Sequence, residues 1–300
     1  MNDTLESWVK MGSYFKFNDN NIFLIDKGKG DCLLIFHGYP YNSYDFKDLL
    51  PKLCKHFRVL IPDMLGMGFS DKPSCYHYSF EDHVEMYRCL LQHLKIAEVH
   101  VMAHDLGNSV VQEFLAQYEE NQELYRIKSI AFLNGGLFTD VYQPRLLQIL
   151  LSQSPPFIGK VLSRLISKRS IEKATRSVFG KNTQPSEQLL NDFWKILNYN
   201  KGKLLTWKIG RLVFDKKRYQ HRWIKAMQKT KIPMCFINGP ADPNSGIHMV
   251  KRYIQLIPNA DVRLMADDIG HWPQIEAPDE VYKYYWYFIN ADNINSVFEK

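Results

Sequence analysis

The stretch VHVMAHDLGN (99–108) decides how this chain is read. It is an apolar strand that runs into a helix within a few residues, with Asp105 at the joint. So sharp a strand–turn–helix bend holds its central residue in a strained conformation and needs small residues two before and two after it. Those positions carry Ala103 and Gly107. The side chain at the joint then projects above the sheet beside the helix N-terminus, whose partial positive charge stabilises an anion such as a carboxylate. Taken alone, the same residue also reads as an ordinary N-cap aspartate. The segments around it bear on the choice.

Outward from the joint, short continuous apolar runs recur at 32–36, 59–61 and 129–133, and again at 233–237 and 262–265. Runs of this kind suit parallel strands buried on both faces. Helical patterns at 80–94, 108–119 and 278–289 alternate with them, so the chain reads as βαβ units of an α/β fold. Near the N-terminus, 14–17 and 22–25 flank NDNN (18–21), a hairpin signal. From Leu137 to Lys231 strand-like runs vanish. Helical periodicity takes over at 144–151, 157–166, 187–197 and 218–227, punctuated by Pro155, Pro156 and Pro185. The expected organisation is an α/β core in two parts, 1–136 and 232–300, with a helical cap, 137–231, inserted between them.

Three further segments bear on Asp105. In FHGYP (36–40) a glycine after a strand lets the backbone turn tightly. The N–H of Tyr39 then points at a reacting centre and, with the N–H of Leu106, makes a two-donor oxyanion hole. In DIGHWP (268–273), His271 follows the last strand, where a catalytic base should fall. In FINGPADP (236–243), Asp242 ends the turn after another strand and is the expected orienting acid, because a loop after a central strand reaches the imidazole from beneath. Asp267 and Asp268 are rivals, closer to His271 in sequence. The order Asp105, Asp242, His271 is the nucleophile–acid–histidine order of an α/β-hydrolase triad. Ser109, four residues past the joint, falls on the first helical turn, away from the bend.

Together HGYP (37–40), DMLGMGFSDKP (63–73), HDLGN (104–108), NGPADP (238–243) and GHWPQIEAP (270–278) make the chain resemble the α/β-hydrolase superfamily. Within it the chain is most similar to the epoxide hydrolase and haloalkane dehalogenase branch, whose nucleophile is Asp rather than Ser. The resemblance implies a mostly parallel sheet flanked by helices, with an inserted helical cap. It also implies hydrolysis through a covalent alkyl ester of Asp105. A carboxylate suits attack on an sp³ carbon bearing a good leaving group. His271, oriented by Asp242, would then activate water against the ester. Relatives that dehalogenate hold halide with a Trp just after the nucleophile or an Asn after His-Gly. Leu106 and Tyr39 stand there in this chain, which argues against halide. Epoxide hydrolases protonate the leaving oxygen with cap tyrosines. Tyr142 and Tyr219 are the candidates for that acid, and Trp272 is expected to line the pocket. The expected function is therefore epoxide hydrolase-like. The alternatives are a haloalkane dehalogenase-like hydrolase and a non-catalytic binding member of the fold.

Composition sets the outer bounds. With 300 residues, 45% hydrophobic and 23% charged, the chain is neither disordered, collagen-like nor a disulfide miniprotein. No run is long and apolar enough for a transmembrane helix, and the N-terminal decapeptide lacks the basic and apolar regions of a secretory signal. Five cysteines without a CxxC pair argue against a disulfide framework or a zinc site and for a reducing compartment. Between Leu137 and Lys231 stand 20 Lys/Arg against 5 Asp/Glu. No nucleic-acid recognition motif accompanies this charge. The expected partner is a small apolar electrophilic substrate, with a weak peripheral contact between the basic cap and an anionic membrane. A cytoplasmic location is expected, and the resemblance implies the surface of the endoplasmic reticulum as the alternative. The chemistry needs neither metal nor organic cofactor.

Overall fold

The computed structural model describes residues 4–121 and 125–291. Its sheet has eight strands in the order β1-β2-β4-β3-β5-β6-β7-β8. These are β1 Ser13–Phe17, β2 Asn20–Gly28, β3 Asp31–Phe36, β4 Phe57–Pro62, β5 Glu98–Ala103, β6 Arg126–Phe132, β7 Met234–Asn238 and β8 Asp261–Leu264. β1 and β2 form an antiparallel hairpin and β2 runs antiparallel to β4, whereas every later pair is parallel. The hairpin turns on Asn18 and Asp19, at φ 44° and 63°. Short polar side chains tolerate that left-handed backbone, and a two-residue hairpin turn demands it.

Alternate strand residues point to opposite faces. β3 accordingly sends Leu34 and Phe36 into one apolar layer and Leu33 and Ile35 into the other, and β4 divides Leu60 from Val59 and Ile61. Helices Phe80–His93 and Leu106–Glu120 cover the first layer, while Leu5–Met11 and Pro278–Ile289 cover the second. Cover on both faces is why these strands are continuously apolar. β3 is hydrogen-bonded to β4 on one side and to β5 on the other. The connections leaving β3 and β5 therefore part company at their carboxyl ends, and a crevice opens where α/β sheets hold their ligands.

Between β6 and β7 every described element is helical, the longer ones being Leu146–Gln153, Pro156–Leu165, Lys168–Arg176, Glu187–Asn198 and Gln220–Lys229. The last of these packs beside Leu106–Glu120 rather than over the sheet edge. Trp223 Nε1 donates to the buried Glu113 carboxylate at 2.7 Å, and Arg222 grips Glu113 and Glu120 at 2.5 and 2.7 Å. The stretch 166–178 instead closes over the carboxyl ends of the strands. Helices Leu5–Met11, Lys168–Arg176 and Ile247–Leu256 lie outside the sequence expectations. Among the described residues, no helix is long and apolar enough to cross a membrane.

Candidate active site

Asp105 sits at φ 52°, ψ −113°, between β5 and the Leu106–Glu120 helix, and its side chain does not cap that helix. The bend survives because its surroundings leave no alternative. The Asp105 N–H donates to Asn134 O at 2.8 Å. A Cβ on Gly107 would lie 2.2 Å from Phe36 O, and one on Gly135 would lie 2.8 Å from the Asp105 Cα. Only glycine allows the helix and the β6 loop to approach this closely. The carboxylate turns away from the helix into the crevice, where its side chain keeps 13% exposure. Oδ1 accepts the Tyr39 N–H at 2.9 Å, and Oδ2 lies 3.4 Å from His271 Nε2.

His271 is held from both sides. Its N–H donates to Val178 O, and its carbonyl accepts His104 Nε2, each at 2.8 Å. Nδ1 donates to Asp242 Oδ2 at 2.7 Å. Asp242 is in turn fixed by Ser245 Oγ at 2.5 Å, the Asn244 N–H at 2.8 Å and Asn134 Nδ2 at 3.2 Å. The rivals are elsewhere: Asp268 accepts Asn182 Nδ2, and Asp267 is exposed. Burial would lower the His271 pKa, but Asp242 and Asp105 outweigh it and raise it to about 10. Burial likewise pushes the Asp105 carboxyl up. His271 and the Tyr39 N–H overcome that and hold it below the ordinary carboxylate range.

The loop that carries His271 hangs on one acid. Glu276 accepts the N–H groups of Gly180 and Gly270 at 2.8 Å and of Trp272 at 2.9 Å, together with the Thr183 hydroxyl. Hydrogen bonds to a charged group are each worth about 1.5–3 kcal/mol, and orphaned donors cost more than the mean bond. Glu276→Ala should therefore destabilise the fold by about 2–4 kcal/mol in urea unfolding. A loss under about 0.5 kcal/mol, the usual effect of an ordinary surface change, would refute this role.

The other sequence candidates divide. Trp272 lines the cavity, and its Nε1 donates to Asp45 Oδ2 at 3.3 Å. Leu106 opens the helix directly after the joint and is buried. Tyr39 also spans the cavity, its hydroxyl donating to Thr206 O at 2.9 Å. Tyr142 is near the site: burial raises its pKa well above the ordinary value, and the charges of Asp105 and Asp242 add to this. Its ring lies beside Gly136 and the Lys216 ammonium, behind the residues that line the cavity. Tyr219 is not brought there, and its candidacy is corrected. Its ring stacks on Trp223 at 5.3 Å and meets Phe80 edge-on. The geometry of the helix pair, not the pocket, sets its direction.

Three site residues had no functional reading in the sequence. Asn134 ties the Asp105 joint to the Asp242 carboxylate, its backbone carbonyl accepting the Asp105 N–H and its side-chain amide donating to Asp242. Asp45 is buried behind Trp272, and burial raises its pKa well above the usual range. Lys216 is buried to 4% exposure and donates from Nζ to Gly136 O at 2.9 Å, with that nitrogen 3.9 Å from the centroid of the Tyr142 ring. Burial lowers its pKa to about 8, against the opposing pull of Asp105. The cavity above Asp105 measures about 100 Å³ and has apolar walls from Ile166, Ile171, Val178 and Trp272.

The alpha/beta hydrolase fold model matches residues 31–278. The chain is similar to the mesoderm-specific transcript homolog protein of Homo sapiens, at 33% identity over 97% of this chain and 89% of that protein. In structure it is similar to a loop variant of the haloalkane dehalogenase DbeA from Bradyrhizobium elkanii, with a TM-score of 0.78 at 16% identity, covering 95% of this chain and 98% of that one. It is also similar to the epoxide hydrolase CorEH, with a TM-score of 0.76 at 18% identity, covering 93% and 98%. With a family model matched along most of its length, the chain belongs to the alpha/beta hydrolase fold family.

Proposed function

We propose that this chain hydrolyses a small apolar epoxide through a covalent ester on Asp105, with 137–231 acting as the cap over the site. The observation that carries the reading is the position of His271 between two carboxylates, 3.4 Å from Asp105 and 2.7 Å from Asp242. A carboxylate on a strained joint suits attack on an sp³ carbon far better than acyl transfer. Halide has no obvious holder, because the residue after the joint is Leu106 and the Trp272 indole N–H is committed to Asp45.

In this reading an Asp105 oxygen forms a bond to an epoxide carbon as the carbon–oxygen bond of the ring breaks. The released oxygen takes the Tyr142 phenol proton, and the Lys216 ammonium over the ring stabilises the charge left on Tyr142. Alkylation removes the Asp105 charge, one of the two carboxylates that keep His271 protonated. His271 then gives up its proton, which restores Tyr142, and becomes a base. It takes a proton from water as the hydroxyl attacks the ester carbonyl. The oxyanion settles on the N–H groups of Tyr39 and Leu106. Collapse expels the alkoxide, which takes the hydroxyl proton of the intermediate. A diol leaves, and Asp105 is again an anion beside a protonated His271.

Intact-mass spectrometry of His271→Gln tests this. The variant keeps the nucleophile and loses the base, so an epoxide panel should leave a protein heavier by the whole epoxide mass. The adduct should vanish when Asp105→Asn is added. A gain of haloalkane minus halide from a parallel panel would assign the dehalogenase chemistry instead. A folded variant without an adduct in either panel would overturn the covalent mechanism.

A further inference from the structure

The Pro156–Leu165 helix turns most of its apolar surface outward. It buries Gly159 and Ser163, the smallest residues of its sequence, and Ser163 Oγ receives the Trp207 N–H at 3.2 Å. Four of its five large apolar side chains face outward, Phe157 at 69% exposed, Leu165 71%, Val161 48% and Ile158 37%, while Leu162 packs inward. At 3.6 residues per turn these four fall within an arc of about 100°. The preceding helix, Leu146–Gln153, packs against it and adds Leu146, 71% exposed, and Leu150. A helix on a water-soluble surface turns such an arc toward the core, and contiguous apolar patches on a surface mark places where something docks.

Charge indicates what docks. On the same turns Lys160 and Arg164 flank the arc on one side. Residues 145–176 carry seven Lys/Arg, namely Arg145, Lys160, Arg164, Lys168, Arg169, Lys173 and Arg176, against the single acid Glu172. A protein partner of ordinary composition would not call for so one-sided a rim. An apolar face bordered by Lys and Arg is the pattern of a helix lying in the headgroup region of an anionic bilayer. The same helix pair reaches the site: Arg145 and Gln148, at the start of the first helix, and Ile166, just past the second, line the cavity above Asp105.

We infer that the hairpin 146–165 docks this protein on anionic phospholipid bilayers, with Phe157, Val161 and Leu165 entering the headgroup–acyl boundary and Lys160 and Arg164 on the lipid phosphates. The cavity mouth then faces the lipid phase, where an apolar substrate is concentrated.

Cosedimentation of the purified full chain with vesicles tests this, using phosphatidylcholine alone and phosphatidylcholine with phosphatidylserine. Binding is expected to the mixed vesicles only, and to weaken as salt rises. Phe157→Asp combined with Leu165→Asp should reduce bound protein at least tenfold, and Lys160→Gln combined with Arg164→Gln should reduce it on the anionic vesicles. Unchanged circular dichroism would show that each variant is folded. Light scattering identifies the competing occupant. A stable dimer that the Asp pair splits, without vesicle binding, would assign this face to a second copy and overturn the proposal. So would a monomer that ignores both vesicle types, or binding that the Asp pair leaves intact.

Discussion

Asp105→Asn is expected to lower epoxide turnover by about 10⁴-fold or more, the scale on which a covalent nucleophile is lost, while leaving the fold intact. The substitution is nearly isosteric. Asparagine tolerates a positive φ as well as aspartate does, so the 52° joint is not a reason for the variant to unfold. Its amide oxygen still accepts the Tyr39 N–H that Oδ1 accepts at 2.9 Å. What disappears is the proposed anionic nucleophile and, with it, one of the two carboxylates that raise the pKa of His271 to about 10. The His271 pKa in the variant should therefore fall, since burial opposes the charged imidazole and Asp242 alone remains to favour it. A histidine titration followed by NMR reads that shift independently of any substrate. If Asp105→Asn stays within tenfold of the parent in turnover, the ester mechanism is wrong. If turnover collapses but the His271 titration does not move, the electrostatic coupling between the two residues is wrong even though the nucleophile is right.

The joint and its strands were legible because they obey local rules. A buried parallel strand is apolar throughout, and a bend this sharp needs Ala103 and Gly107 on either side of Asp105. Those demands are written within ten residues. The Lys168–Arg176 helix was not legible, because it buries only Ile171 and Thr175 and its sequence, KRSIEKATR, shows no apolar stripe. Its ends are set by the Ser167 cap and by what it covers. The tyrosines show a different limit. Tyr142 and Tyr219 are equivalent as letters in a helical segment, but one lies beside Gly136 near the carboxylates and the other stacks on Trp223. That difference arises from how helices pack, with no local signal. Lys216 is the sharpest case. It begins the run Lys216, Lys217, Arg218, which reads as a solvated basic turn, yet its ammonium is drawn inward by a carbonyl and a ring.

Lys216→Met should slow alkylation of Asp105 by about 10²-fold near neutral pH, the lower range of what proton donation contributes to a reaction. Methionine matches the lysine stem in length and relieves a buried charge, which offsets the lost hydrogen bond to Gly136 O, so a melting curve should fall only modestly below that of the parent. Rate alone would not separate a structural role from an electrostatic one, but pH does. The lysine pKa is lowered to about 8 by burial. Below that pH the ammonium stands over Tyr142 and stabilises the developing phenolate. As pH rises through it the charge is lost, so the parent's alkylation rate should fall on a limb centred near pH 8. Asp105 does not contribute to that limb, because its carboxyl is held below the ordinary range and is already ionised. Lys216→Met should be slow throughout and lack the limb. Tyr142→Phe should be slow too, and adding it to Lys216→Met should cost little more, because the lysine works through the phenol. A variant at position 216 that keeps the limb, or a double variant whose losses simply multiply, would separate Lys216 from the proton donor and leave it a packing residue behind the site.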